Sequence, residues 1–149
     1  MEKIYETAYA KINLGLDVLG KRSDGYHEVR MVMQSVGLSD AVEIEEGEGL
    51  VVETDHSGLA GGPDNLAWKA AELLARCCRK IPNVHIRLNK KIFLAAGLAG
   101  GSSDAAAVMR GLSRLWQLDL TAPELEKLAA ELGSDIPFCI TGGTALAEG

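Results

Sequence analysis

Residues 95–104 read Ala-Ala-Gly-Leu-Ala-Gly-Gly-Ser-Ser-Asp, and the pattern of the whole chain is built around this stretch. Its three glycines, at 97, 100 and 101, allow positive φ and let backbone N–H groups approach a bound oxyanion closely. The stretch therefore predicts a loop that cradles phosphate. A tight structural turn is the alternative, because glycine-rich loops before helices are common.

A strand and a helix are predicted on either side of this loop. Before it, residues 84–89 alternate between apolar and polar side chains, as in a half-buried strand. After it, residues 102–104 are types that cap helices, and apolar residues recur at helical spacing from Ala105 to Trp116. The first N–H groups of such a helix lack intrahelical partners and suit phosphate. The loop lacks both the Walker A lysine and the spacing of a dinucleotide fingerprint.

The composition fits one globular domain. Of the 149 residues, 47% are hydrophobic and 24% charged, which is enough for a real core. The net charge of −6 opposes non-specific nucleic-acid binding, which needs a basic face. The three cysteines form no C-x-x-C pair, which argues against a disulfide framework or zinc site. With no long apolar run and no signal-like start, we predict a cytoplasmic protein that neither binds nucleic acid nor spans a membrane.

Further strands follow from alternation and turn residues. Ile4–Leu19 and Val29–Val36 are predicted strands, and a final strand is predicted after the glycines at 142 and 143. The runs 42–45 and 50–54 flank Gly47-Glu48-Gly49, which predicts a hairpin. This order of strands and hairpins argues against a doubly wound parallel sheet.

Three more helices are predicted from their caps. One follows Asp64 or Asn65 and carries an apolar stripe as far as Cys77. The second begins with a capping box of Thr121 and Glu124. Asp135 stands before a short third helix, so its carboxylate is either a cap or a functional group.

Two polar features within the strands are open to more than one interpretation. Lys11 and Asn13 interrupt an apolar stretch, and Lys11 is either an exposed charge or a functional cation that needs a partner. Tyr26 and His27 follow an Asp-Gly turn. Such a pair can stack on and hydrogen-bond a heterocycle, or it can form a packing corner.

Four segments together resemble the GHMP kinase superfamily: Ala10–Leu14, Arg22–His27, Ala96–Ala106 and Gly133–Phe138. They look most like the kinases of the non-mevalonate isoprenoid pathway that phosphorylate a cytidine diphosphate conjugate of methylerythritol. The resemblance implies an α+β fold, the N-terminal, ATP-binding GHMP domain. That domain has a mixed or antiparallel sheet with helices on one side, like the second domain of a ribosomal small-subunit protein.

The resemblance also implies a catalytic pair. Asp135 matches the aspartate that acts as general base for the 2-hydroxyl of the substrate, and Lys11 matches the lysine beside it. A nearby ammonium favours the ionised carboxylate, and charge stabilisation with positioning supplies most of phosphoryl-transfer catalysis. Lys11 would thereby gain its partner.

ATP and Mg²⁺ are the implied cofactors, with Ser103 as a candidate neighbour of Mg²⁺. Asn13, Tyr26 and His27 match the region that recognises the cytidine substrate, and Asn65 matches a residue on the adenine side of ATP. The residues that match the ATP-phosphate loop are Phe93, Leu94, Ala95, Ala96, Gly97, Leu98, Ala99, Gly100, Gly101, Ser102 and Ser103. Phe93 replaces the usual proline of the family, which alters the loop entry without removing a phosphate donor.

Kinases of this family are longer and add a C-terminal domain. We therefore expect residues 1–149 to be an N-terminal part with little activity alone, which could self-associate through a face left bare. A non-catalytic nucleotide-binding fragment is one alternative. A GHMP kinase for homoserine or mevalonate-type alcohols is another, although a cytosine contact by Tyr26 and His27 would be unneeded there.

Overall fold

The computed structural model describes residues 3–21, 27–55, 62–91, 100–141 and 144–148, which form one mixed sheet covered by helices. The strands are β1 (Lys3–Lys21), β2 (His27–Glu46), β3 (Val51–Thr54), β4 (Val84–Asn89) and β5 (Thr144–Glu148). The helices are α1 (Leu66–Cys77), α2 (Gly100–Leu115), α3 (Ala122–Ala129) and α4 (Ile136–Thr141). None of the helices in these ranges has the length and hydropathy of a membrane span.

The long strand β2 is the centre of the sheet. It pairs antiparallel with β1, with β4 and, through Arg30 to Gln34, with β5. The remaining strand, β3, pairs parallel with β4, so the strand order is β1-β2-β4-β3 and the sheet is mixed. The expected α+β class is confirmed, as are the predicted strands in the regions of β1, β4 and β5.

The predicted hairpin around Gly47-Glu48-Gly49 is wrong. β2 and β3 do not pair with each other, because β4 lies between them. Gly47 donates its N–H to the Asn83 carbonyl, and Gly49 donates to Asn83 Oδ1, so this turn is held by the segment that enters β4. Turn residues indicate that the chain reverses, but they do not determine which strand occupies the adjacent position.

Small residues let α2 lie close to the sheet. Three of the seven core side chains of α2 are alanine, and the helix packs against strand residues such as Ile4 and Ile44. At Gly111 the approach is closest, because a Cβ there would lie 2.5 Å from Ile44 Cδ1. This packing holds α2 against β1 and β2.

Of the four helix caps expected from the sequence, two are confirmed by their hydrogen bonds and a third is wrong. Asn65 caps α1, its Oδ1 accepting the Ala67 N–H at 2.8 Å, and Thr121 and Glu124 form the capping box of α3. The third expectation is wrong, because α2 begins at Gly100 and residues 102–104 lie within its first turns. Instead of capping the helix, the Ser103 hydroxyl bonds to the Tyr9 carbonyl of β1, and the Asp104 carboxylate accepts from Lys90, which directly follows β4.

Candidate active site

An ion pair between Lys11 and Asp135 is the centre of the candidate site. Lys11 Nζ lies 3.4 Å from Asp135 Oδ2. The lysine side chain is 5% exposed, whereas the aspartate side chain is 42% exposed. The ammonium thus lies beneath a carboxylate that solvent can reach, an arrangement that presents a base to a ligand with a fixed cation behind it.

A change of register brings Lys11 to this position. Between Tyr9 and Lys11 in β1, the paired residue in β2 moves from Ser39 to Ser35, so β2 carries the extra residues of a bulge. Bulges re-aim side chains and are common beside active sites. Tyr9 is therefore exposed, whereas Lys11 is buried against the helical layer.

Asp135 is held by the start of α4. It stands directly before the helix, and its carbonyl accepts the Cys139 N–H at 3.3 Å. Ile136 and Ile140, one helical turn apart, are buried in the core. The buried face of this short helix orients the residue in front of it.

Ser103 joins α2 to the two segments that carry Lys11 and Asp135. Its buried hydroxyl donates to the Tyr9 carbonyl, next to the bulge that sets Lys11. The same oxygen lies 3.5 Å from Cys139 Sγ, one turn after Asp135. Burial raises the pKa of the Cys139 thiol, so this sulfur stays neutral beside the carboxylate. The Lys11–Asp135 pair therefore lies beside the N-terminal turn of α2, whose first N–H groups are donors without helical acceptors.

Asn65 lies near the same helix end. A Cβ at Gly101 would lie 3.5 Å from the side chain of Leu66, so the first turns of α1 and α2 are neighbours. Asn65 is buried and serves as the α1 cap. Its predicted place beside adenine is compatible with this position and stays a prediction.

Several predicted site residues lie wholly or partly outside the described part of the chain. Tyr26 and the loop residues from Phe93 to Ala99 lie outside the described residues. For Asn13 and His27 the structure describes the backbone, in which Asn13 is opposite Met33 and His27 is opposite Lys21. Their roles toward a substrate stay predictions.

The oxygen chemistry around Ser103 is compatible with Mg²⁺. The hydroxyl uses its proton on Tyr9, which leaves oxygen lone pairs of the kind that Mg²⁺ prefers. Within the described ranges, no three His, Cys, Asp or Glu side chains are grouped as metal ligands. A kinase does not require such a group, because its Mg²⁺ is held largely by substrate phosphates.

A buried ionic cluster of Lys90, Asp40 and Asp104 was missed by the sequence reasoning. Lys90 Nζ lies 2.5 Å from an oxygen of each aspartate, and all three side chains are at most 2% exposed. One signal was available, because Asp40 has the strand phase of Val42 and Ile44 and so faces the core. A charged residue at an inward position requires a buried partner.

The cluster has more acid than base. Burial, followed by a hydrogen bond with Asp40, raises the pKa of Asp104 to about 8, although Lys90 opposes the shift. Burial would lower the pKa of Lys90, but its contacts with Asp104 and Asp40 outweigh this and raise it. At neutral pH the cluster therefore holds a proton on Asp104 and keeps Lys90 charged.

A groove of about 520 Å³ on the outer face of the sheet contains none of the candidate catalytic residues. It lies among Tyr5, Glu43, Glu53 and Arg87. Its volume alone gives no reason to place the chemistry there. Arg87 in this groove pairs with Glu43 and Glu53, but its side chain is 56% exposed, whereas Lys11 is buried behind Asp135.

A sequence model described as "GHMP kinases N terminal domain" matches residues 65–143. A curated 4-diphosphocytidyl-2-C-methyl-D-erythritol kinase from Synechococcus sp. (strain JA-3-3Ab) is 55% identical over 143 residues, covering 95% of this chain and 46% of that protein. A kinase of the same name from Acetivibrio thermocellus is 51% identical over 150 residues, covering 100% of this chain and 53% of that protein. The chain thus spans about half the length of the curated relatives it matches.

Solved structures give the same picture of the fold. A crystal structure of 4-(cytidine 5'-diphospho)-2C-methyl-D-erythritol kinase matches with a TM-score of 0.83 and 38% identity, covering 98% of this chain and 52% of that one. The Methanococcus jannaschii mevalonate kinase matches with a TM-score of 0.75 and 14% identity, covering 99% and 54%. At that identity, the second match is a similarity of fold alone.

Proposed function

The chain belongs to the GHMP kinase family, and we propose that it forms the ATP-binding part of a kinase that phosphorylates the 2-hydroxyl of 4-diphosphocytidyl-2-C-methyl-D-erythritol. The names of its relatives support this substrate. The observation that carries the chemistry is the Lys11–Asp135 pair beside the first turn of α2. Because the chain spans about half of each relative, the activity is proposed for the complete protein.

In the proposed reaction, the substrate hydroxyl attacks the γ-phosphorus of ATP. Asp135 accepts the hydroxyl proton, the new O–P bond forms, and the bond from phosphorus to the β,γ-bridging oxygen breaks to release ADP. Lys11 orients the Asp135 carboxylate and favours negative charge on the attacking oxygen. Positioning and charge stabilisation are the main protein contributions to such transfers.

The ATP phosphates are assigned to residues 93–103, with Asn65 on the adenine side. The N-terminal turn of α2 supplies unpaired N–H groups and the positive end of the helix dipole. Mg²⁺, with Ser103 as candidate neighbour, would neutralise phosphate charge when bound. The chain's own contribution is a set of fixed donors at the end of α2.

We assign the cytidine end of the substrate to Asn13, Tyr26 and His27. Asn13 belongs to the same paired β1–β2 ribbon as Lys11, and His27 begins its second strand. Tyr26 is adjacent to His27 in the sequence. One ribbon would therefore carry both the catalytic lysine and the groups that select the substrate.

The other wall of the cleft is inferred to come from residues after Gly149. The length of the relatives supports this inference. Residues 1–149 alone would then turn over weakly and could self-associate through an uncovered face. We further infer that the reaction takes place in the cytoplasm, where Cys77, Cys78 and Cys139 would remain free thiols, as the structure has them.

A substrate panel tests the proposed function. The complete protein is incubated with Mg²⁺, ATP and one alcohol: the cytidine diphosphate conjugate, homoserine or mevalonate. We expect ADP release and a product one phosphate heavier, by mass spectrometry, with the cytidine conjugate alone. Preference for homoserine or mevalonate would assign a different GHMP kinase, and ATP binding without transfer to any alcohol would indicate a nucleotide-binding module.

A further inference from the structure

The buried cluster of Lys90, Asp40 and Asp104 has no part in the catalytic proposal so far. We propose that Lys90, clamped by the two aspartates, is a positioning residue that fixes the end of β4 and the start of α2, the two described ends of the proposed ATP-phosphate segment, an inference that rests on the proposed function. Lys90 itself is not proposed to touch ATP. It would act through the two ends of the segment that does.

The cluster joins the two ends of that segment. Lys90 follows β4 directly, and Asp104 lies in the first turns of α2. The eight residues 92–99 lie between them in the sequence and outside the described residues. Lys90 Nζ reaches the Asp104 carboxylate at 2.5 Å, so the chain that leaves β4 is tied to the chain that enters α2.

Backbone contacts hold the β4 end of the segment in the same way. Lys91 donates its N–H to Asp40 Oδ1 at 2.6 Å, while Asp40 Oδ2 accepts from Lys90 Nζ at 2.5 Å. The Lys90 N–H is bound by Asp55 Oδ1 at 2.8 Å. Asp40 therefore binds both the main chain and the side chain at the start of the loop segment.

The cost of burying these charges argues for a role beyond stability. Buried ion pairs lose so much solvation that apolar residues of similar volume are often as stabilising. Among the described residues, Asp104 Oδ1 has no hydrogen-bond partner. The charged groups instead fix orientation. Two charge-assisted hydrogen bonds hold the Lys90 side chain in one position relative to both β2 and α2.

A phosphate-binding site depends on the position and orientation of its hydrogen-bond donors. Backbone donors that bind an oxyanion must lie within hydrogen-bond distance of it, and small displacements lose much of their effect. A tie between Lys90 and Asp104 would hold the first turns of α2 at a fixed distance from the end of β4. Loss of the tie should therefore weaken ATP binding more than binding of the alcohol.

The test compares two substitutions of Asp104 in the complete protein. Asp104→Asn keeps an oxygen that can accept from Lys90, whereas Asp104→Ala removes it and leaves the neutral Lys90–Asp40 pair, so both variants should fold. We expect Asp104→Ala to raise the KM for ATP about tenfold, and Asp104→Asn to stay within about twofold of wild type. The KM for the cytidine conjugate should stay within about twofold in both.

Lys90→Met tests the same tie from its other end, with Lys127→Met, an exposed lysine on α3, as the matched control. We expect Lys90→Met to raise the KM for ATP at least as much as Asp104→Ala, and Lys127→Met to leave it unchanged. If the cluster only stabilises the fold, Asp104→Ala lowers Tm while the KM for ATP of the folded protein does not change, and the inference is overturned. If wild type neither binds nor consumes ATP, the proposed function has failed instead.

Discussion

Lys11 and Asp135 come from opposite ends of the described chain and meet at 3.4 Å, with the ammonium buried and the carboxylate open to solvent. The asymmetry suits a general base, because the acid can reach a substrate while the cation behind it cannot move away. A surface ion pair has both members exposed and contributes little to stability. The burial of Lys11 therefore points to a role in positioning and charge stabilisation.

Replacing Lys11 with methionine should affect turnover more than folding. Methionine has a similar length, and Asp135 remains solvated without its partner, so we expect the free energy of unfolding to change by about 1 kcal/mol or less. We expect kcat to fall about 100-fold, since a fixed charge near the transferred group is lost. Steady-state kinetics and urea unfolding of the complete protein measure both quantities. A kcat within a few-fold of wild type would remove Lys11 from the mechanism.

The protonated Asp104 predicts a distinct pH dependence of stability. Its pKa is raised to about 8 in the folded state, against an ordinary value of 3.8 when unfolded, so between these pH values the folded state holds the extra proton. Stability should therefore fall as pH rises through this window and level off above it. The side chain introduced by Asp104→Asn does not titrate in this range, so this dependence of stability on pH should be absent in that variant.

We expect the stability advantage of Asp104→Asn over wild type to grow by about 3 kcal/mol between pH 6 and pH 9. Urea unfolding at a series of pH values measures it. Asp119→Asn, an exposed aspartate outside the cluster, is the matched control and should show no such trend. Parallel curves for wild type and Asp104→Asn would mean that Asp104 is already ionised at neutral pH.

Gly111 tests how closely α2 packs on the sheet. An alanine Cβ would lie 2.5 Å from the buried Ile44 Cδ1. Overpacking of this kind costs about 1–3 kcal/mol, and better helix propensity returns up to about 1. We expect Gly111→Ala to lower the free energy of unfolding by about 1 kcal/mol, and to be neutral or stabilising when Ile44→Val removes that methyl group. An equal cost in both backgrounds would contradict the contact.

Local sequence signals predicted the elements well but not their neighbours. Alternation identified β4, and the caps at Asn65 and Thr121 begin helices as expected. The hairpin at Gly47 was wrong because strand pairing is decided by β4, which is distant in sequence. The spacing of apolar residues along one strand does not show which distant strand will pair with it.

The candidate site, like the fold, could be predicted only in part from the sequence. The motif resemblance singled out Lys11 and Asp135, which the fold then brought together. The cluster of Lys90, Asp40 and Asp104 escaped notice, although Asp40 faces inward from its strand. Single charged residues look like ordinary surface residues until the tertiary structure shows that they share one buried space.

The most direct test of the account is Asp135→Asn in the complete protein, with Asp119→Asn as the matched control. Phosphate transfer to the cytidine conjugate and equilibrium binding of ATP are measured on the same preparations. We expect Asp135→Asn to lower kcat at least about 1,000-fold, because the amide cannot accept the proton, with ATP affinity within about twofold of wild type. Asp119→Asn should match wild type in both. Turnover close to wild type in the folded Asp135→Asn variant would contradict the central claim.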